Sequence, residues 1–155
     1  MKEDLLISEA NAIDSKFVWE LRNEYSIREM MKDTSFIDWK KHEEWFLKVL
    51  FNDNSHLYIG FFNNQPVAMV RFDLSENFKK AFEISIAVKT KFQGIGIAKK
   101  LLQESIKLLG CKVTKGYQII SIVKRINKKS LKLFEKYGFI LIDQSKELSY
   151  YSLKI

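Results

Sequence analysis

Three features of the sequence predict a single α/β or α+β domain wrapped around one mixed sheet. The chain has 155 residues, the length of one ordinary domain. Its periodic segments run in the order strand, helices, three strands, helix, strand, helix, two strands. No linker, repeat or low-complexity tract breaks that order, and there is one proline.

Each segment has its own signal. The apolar run Asp4–Ser8 reads as an opening strand, and Asn11 or Asp14 offers a cap to the next helix. From Ile13 to Lys32, Phe17, Val18, Leu21, Ile27 and Met31 recur at helical spacing, as one helix or as two parted near Glu24-Tyr25-Ser26. Trp39 to Phe51 carries a stripe of Trp45, Phe46, Val49 and Leu50 behind the cap Asp38. Strands are expected at Leu57–Phe62, Pro66–Asp73 and Ala81–Val88, the first two joined by a tight turn at Asn63-Asn64. Ala98, Leu101, Leu102, Ile106 and Leu109 share one helix face opposite a lysine-rich one, with Gly110 as the stop. Tyr117–Val123 reads as a strand and Asn127–Tyr137 as a short helix closed by Gly138. Phe139–Ile142 and Glu147–Leu153 read as final strands.

Composition narrows the class of function. With 46% hydrophobic and 29% charged residues, the chain is neither disordered nor collagen-like. A lone Cys111 forms no internal bridge, and the opening residues do not read as a secretory leader, so a cytoplasmic protein is the expectation. No apolar run approaches the roughly 20 residues that cross a bilayer. A charge of +7 and a pI near 9.4 favour anionic partners without choosing among them. His42 and His56 are the only histidines, too few for a histidine metal cluster, and no metal is expected.

The segment Glu83–Leu102 places a strand, a loop with Gly94 and Gly96, and the clearest helix in direct succession. That order aims free N–H groups and the positive end of a helix dipole at one spot, which suits a phosphate, although an ordinary structural turn uses glycine in the same way. A dinucleotide fingerprint fails because Lys99 stands where a third small residue belongs. A nucleotide P-loop fails for want of Gly-Lys-Ser/Thr.

The residues Ala87-Val88 and Gln93-Gly94-Ile95-Gly96-Ile97-Ala98 resemble the Arg/Gln-X-X-Gly-X-Gly/Ala loop of the GNAT superfamily of N-acetyltransferases, which holds the pyrophosphate of acetyl-coenzyme A. The block from Asn127 through Ser130 and Phe134 to Gly138-Phe139 is similar to the superfamily's C-terminal signature, at the usual separation. The resemblance extends over nearly the whole chain. It implies one acyl-CoA N-acyltransferase domain over residues 1–155, with a mixed, mostly antiparallel sheet of about seven strands and about four helices. It further implies that Ile86, Ala87, Val88, the loop Gln93–Ala98, Asn127, Ser130 and Phe134 bind the coenzyme. The pantetheine arm would lie between the Ala81–Val88 and Tyr117–Val123 strands, and an amine would attack the thioester directly.

Direct transfer needs a base for the amine and is helped by a donor for the departing thiolate. Glu83 stands where relatives carry a carboxylate base; on an alternating strand it is equally a solvent-facing residue. The superfamily's usual tyrosine is replaced by Phe134, which leaves Tyr137, one helical turn on, as either the acid or a packing residue. Asn127 serves as a pantetheine ligand or as a helix cap. Cys111 lacks an activating partner and reads as a structural or surface thiol.

Within the superfamily, Trp19-Glu-Leu-Arg22-Asn23, Ile27-Arg28, Met30-Met31, Phe36-Ile37, His42, Trp45-Phe46 and Val67–Asp73 resemble enzymes that acetylate a nucleotide-linked 4-amino sugar in pseudaminic and related nonulosonic acid pathways. That likeness implies that Arg22 and His42 contact the nucleotide diphosphate. Met31 and Trp45 would pack on base or sugar, and Arg71 and Asp73 would line the acceptor pocket. The same residues have plainer readings, Trp45 as core and a lone helical Arg as solvated surface. Acetylation of protein N-termini, antibiotics or polyamines is the alternative within the fold. The chain is expected to act as a monomer or homodimer on a small amine, with neither nucleic acid nor membrane as partner. A basic nucleic-acid-binding module is the rival of another class; it requires exposed stacking aromatics, whereas Phe46, Phe61, Phe72 and Phe139 fall in apolar stripes.

Overall fold

A computed structural model describes residues 4–155. Strand β1 (Leu5–Glu9) is followed by a 3₁₀ turn whose Asn11 and Asp14 side chains cap each other's backbone in a reciprocal box. Helices α1 (Ser15–Asn23) and α2 (Tyr25–Arg28) come next, parted at Glu24. Helix α3 (Trp39–Leu50) starts on Asp38, whose carboxylate accepts from the N–H groups of Lys40 and Lys41. Strands β2 (Ser55–Phe62), β3 (Gln65–Leu74) and β4 (Ala81–Val88) form a meander. Its first turn has Asn63 and Asn64 at φ 50° and 60°, the left-handed pair of a tight hairpin. Helix α4 (Ile97–Gly110), β5 (Gln118–Lys124), α5 (Lys128–Tyr137), β6 (Ile140–Gln144) and β7 (Leu148–Lys154) complete the chain.

The seven strands form one sheet in the order β1-β2-β3-β4-β5-β7-β6. Every neighbouring pair is antiparallel except β4 and β5, which α4 joins by a crossover. Each face carries its own core. Helix α4 lays Leu101, Leu102, Ile106 and Leu109 on one face, against Val70, Phe72, Phe82 and Ile119. Helices α1 and α3 cover the other with Phe17, Val18, Leu21, Phe46 and Val49, against Leu57, Ile59 and Met69.

Gly110 is the last residue of α4, as expected, although Cys111 keeps helical dihedrals and its N–H still reaches back to Lys107 and Leu108. One local expectation is corrected. The strand expected at Phe139–Ile142 begins one residue later, since Phe139 N–H closes α5 on the Phe134 carbonyl and its ring packs on Phe134. Gly138, at φ 114°, is the left-handed cap the sequence suggests. Among the described residues no helix is long and apolar enough to cross a membrane.

Candidate active site

The site follows from how β4 and β5 meet. They pair only at Ala81↔Gln118, Phe82↔Ile119 and Glu83↔Ile120. Beyond Glu83, β4 stays bonded to β3 as far as Val88↔Ala68, and β5 stays bonded to β7 as far as Lys124↔Leu148. The two strands therefore diverge, and the facing edges at Ile84–Val88 and Ser121–Lys124 open a V-shaped cleft of about 1840 Å³. Unpaired strand edges leave backbone N–H and C=O groups ready for an extended ligand bearing amides.

One mouth of the cleft ends on α4. Gly94 and Gly96 sit at φ 83° and 90°, and Gly96 caps the helix without any side-chain hydrogen bond. The first N–H groups of α4 thus have neither an intrahelical partner nor a side-chain cap, as a diphosphate requires. Gln93 donates to the Val88 carbonyl at 3.0 Å and accepts from Lys129 of α5 at 3.1 Å, which ties strand, loop and second helix together. The Glu24 carboxylate accepts from the Thr90 N–H (3.0 Å) and hydroxyl (2.7 Å), so the turn before this loop is anchored to the end of α1. Ile86, Ala87, Val88, Gly94, Gly96, Ile97 and Ala98 line the cleft together with Asn127, Ser130 and Phe134. The Ile95 side chain is 62% exposed and does not line it, leaving only its backbone to contribute.

On the face covered by α1 and α3, strand alternation brings Arg71, Asp73 and Glu83 to one side. Asp73 is directly across from Glu83 and takes the Arg71 Nε–H (2.6 Å) and the Ser55 hydroxyl (2.8 Å) on its two oxygens. Glu83 accepts the Ser75 hydroxyl at 2.6 Å on Oε1. Ser75 Oγ is held in turn by the N–H groups of Asn77 and Phe78. Arg22 and Arg71 both lie over the Trp45 ring, at 4.0 and 4.9 Å from its centre. Burial, then the neighbouring Arg71 charge, pull Arg22 down to about 10. Met31 lines the same side of the cleft.

Two expected roles need restating. His42 does not reach the cleft: it is fully buried, its Nε2 within bonding distance of the Ser15 carbonyl (2.8 Å) and hydroxyl (3.2 Å), its ring stacked on Trp39 and Phe46. It clamps α1 to α3, and burial holds its pKa below the ordinary imidazole value. Trp45 acts from below, as the platform for the two arginines, and does not line the main cleft. Tyr137 lines the cleft from α5, half-buried on Phe139 and within the field of Lys107 and Glu104 of α4; burial raises its pKa. Phe134 is buried against Phe139.

Asn127 is the helix cap the sequence offers, and it also lines the cleft. Its Oδ1 accepts from Ser130 N–H and caps α5, while its Nδ2 remains to donate into the cleft. Asn127→Asp keeps the cap and removes the donor. It should leave thermal stability near wild type and weaken coenzyme binding about tenfold, measured by calorimetry beside a melting curve.

Sequence reading missed Ser75, Glu24 and Tyr150. Ser75 and Glu24 act through contacts eight and 66 positions away, which no local pattern carries. Tyr150 alternates with Tyr151, and the period of two shows that they face opposite ways but not which faces the cleft.

A sheet parted between two parallel strands, ending on uncapped helical N–H groups, has the form of an enzyme that takes an acyl-coenzyme A ester. The model of the acetyltransferase (GNAT) family matches residues 16–139, and the chain belongs to that family. It is an acetyl-CoA-dependent N-acetyltransferase. The chain is 27% identical over 149 residues to the acetyltransferase PseH of Campylobacter jejuni subsp. jejuni serotype O:23/36 (strain 81-176), covering 95% of this chain and 90% of that protein. Among solved structures, spermidine N-acetyltransferase from Vibrio cholerae, in complex with CoA and spermine, superposes with TM-score 0.82 at 15% identity, over 97% of this chain and 95% of that one. Ribosomal-protein-alanine N-acetyltransferase from Brucella melitensis superposes with TM-score 0.81 at 19% identity, over 97% and 99%. The two structural likenesses show the fold.

Proposed function

We propose that this acetyltransferase modifies the amine of a nucleotide-linked amino sugar, with the acceptor's diphosphate held by Arg22. The observation that carries this reading is the state of the two guanidiniums on the acceptor face. Arg71 is paired with Asp73, whereas Arg22, closer to Trp45, makes no ion pair among the described residues and feels the Asp73 charge only as the least of the three influences on it. A partly buried guanidinium without an ion pair is costly unless an anionic ligand completes it. The 27% likeness to PseH agrees with that class of acceptor.

In this reading the N–H groups of residues 94–98 and the Asn127 amide hold the coenzyme, which supplies an acetyl group activated as a thioester. Glu83 takes the proton from the acceptor amine. Met31 and Arg71, the latter seated on Trp45, border the acceptor.

Incubation with acetyl-CoA and a panel containing UDP-linked 4-amino sugars, spermidine and an alanine-terminated peptide, with free thiol as the readout, tests the acceptor class. Turnover of the peptide or polyamine alone would overturn it. Arg22→Gln is expected to raise KM for the UDP-linked acceptor about 10- to 100-fold, the loss of one charge-assisted contact, with CoA affinity unchanged.

A further inference from the structure

Helix α5 brings Phe134, without a hydroxyl, to the cleft, and the Tyr137 beside it faces α4. A second tyrosine near this end of the sheet, Tyr151, donates to Glu135 at 2.6 Å on the α4–α5 face. Phe134 has no hydroxyl, that of Tyr151 is engaged, and Tyr137, which also lines the cleft, packs with the core on the α4–α5 face of the sheet. Tyr150 stands on the acceptor face. In the register of the sheet Glu83 pairs with Ile120 and Ile120 with Ser152, so these side chains share a face. Two residues further on, Ile122 pairs with Tyr150 on that same face, at the level where β4 and β5 have already parted.

The Tyr150 ring leans toward Phe78, with centroids 6.5 Å apart, and both line the cleft. Phe78 N–H is bonded to Ser75 Oγ, whose hydroxyl donates to Glu83. Tyr150 therefore comes at the opening from the β5–β7 side while Glu83 borders it from β4, and no hydrogen bond within the described residues occupies the Tyr150 hydroxyl.

We propose that Tyr150 is a catalytic residue whose hydroxyl hydrogen-bonds the thioester sulfur and gives it a proton as the thiol departs. The inference rests on the acetyl-transfer reading of the cleft and not on the identity of the acceptor. When the amine nitrogen bonds to the acetyl carbon, the carbon–sulfur bond breaks and its electron pair goes to sulfur. Sulfur takes the Tyr150 proton, Glu83 takes the proton shed by nitrogen, and solvent carries one proton from Glu83 back to the tyrosinate. No oxidant, metal or further reactant enters.

The decisive measurement needs no acceptor: ultraviolet titration of the CoA thiol in its binary complex with the full chain. The charged groups that line the cleft from the α1–α3 segment and from β3, β4 and β5 are Arg22, Glu29, Lys32, Asp33, Arg71, Asp73, Glu83 and Lys124, all present in every variant compared; Tyr137 lines it from α5 and is the group the second variant removes. A hydroxyl donating to sulfur stabilises the thiolate, so Tyr150→Phe should raise the midpoint by about one pH unit, tenfold in the equilibrium. Tyr137→Phe should leave it at the wild-type value. Matching melting curves and CoA affinities establish that the variants are folded and loaded. With whichever amine the wild type acetylates, Tyr150→Phe should also lower kcat about 10²-fold while acceptor KM stays near wild type. An unmoved thiol midpoint, or a loss confined to acceptor KM, would overturn the proposal. Failure of the sugar-nucleotide panel with a shifted midpoint would refute the acceptor class and leave Tyr150 in place.

Discussion

Glu83→Gln is expected to lower kcat by about 10²- to 10³-fold with CoA affinity unchanged, because of the two acids paired across β3 and β4 it is the one that keeps a carboxylate oxygen without a hydrogen bond among the described residues. Two acids face each other across β3 and β4. Both oxygens of Asp73 are engaged, one by the Arg71 guanidinium and one by Ser55, so it is held as a charged structural partner. Glu83 has one oxygen on Ser75 and the other open to the cleft. Gln keeps the size and the acceptor for Ser75, so folding and coenzyme binding should survive while the base is lost. Turnover close to wild type in stopped assays of thiol release would return Glu83 to a structural role.

The difference between the two acids also shows where sequence reading stops. Alternation along β3 and β4 places Asp73 and Glu83 on one face, and the Asn63-Asn64 turn sets the register of the preceding hairpin. The stripe Leu101, Leu102, Ile106, Leu109 and the left-handed Gly138 were equally legible, since periodicity and turn chemistry are local properties. What was not legible depends on pairing between distant segments. That β4 and β5 meet for three residues and then part is decided by competing ladders to β3 and β7, and nothing in either strand's own residues announces it. His42 shows the converse error. A histidine on an amphipathic helix looks available for an anionic ligand, yet the approach of Ser15 and the stacking of Trp39 and Phe46 turn it inward. Trp45 was placed on the ligand by resemblance and lies beneath the two arginines that face it.

Gly96→Glu should weaken CoA binding by at least about 10²-fold, and the structure allows backbone strain and charge to be separated as causes. Gly96 sits at φ 90°, where a side chain costs roughly 1–2 kcal/mol whatever surrounds it, and a Cβ added there would meet no heavy atom within 4 Å. Steric exclusion by the protein is thus absent, and any residue at this position should fold with a similar loss of stability. What differs is the field: a carboxylate at the cap of α4 competes with a diphosphate for the same uncapped N–H groups and repels it. Gly96→Gln has the same shape and strain without the charge. Melting temperatures of the two variants should therefore fall together, while CoA affinity should fall much further for Glu, and the gap between them should narrow as salt is raised. Equal affinities for the two variants would mean that the N–H groups of α4 do not hold the diphosphate, and that the coenzyme is gripped by the strand edges alone.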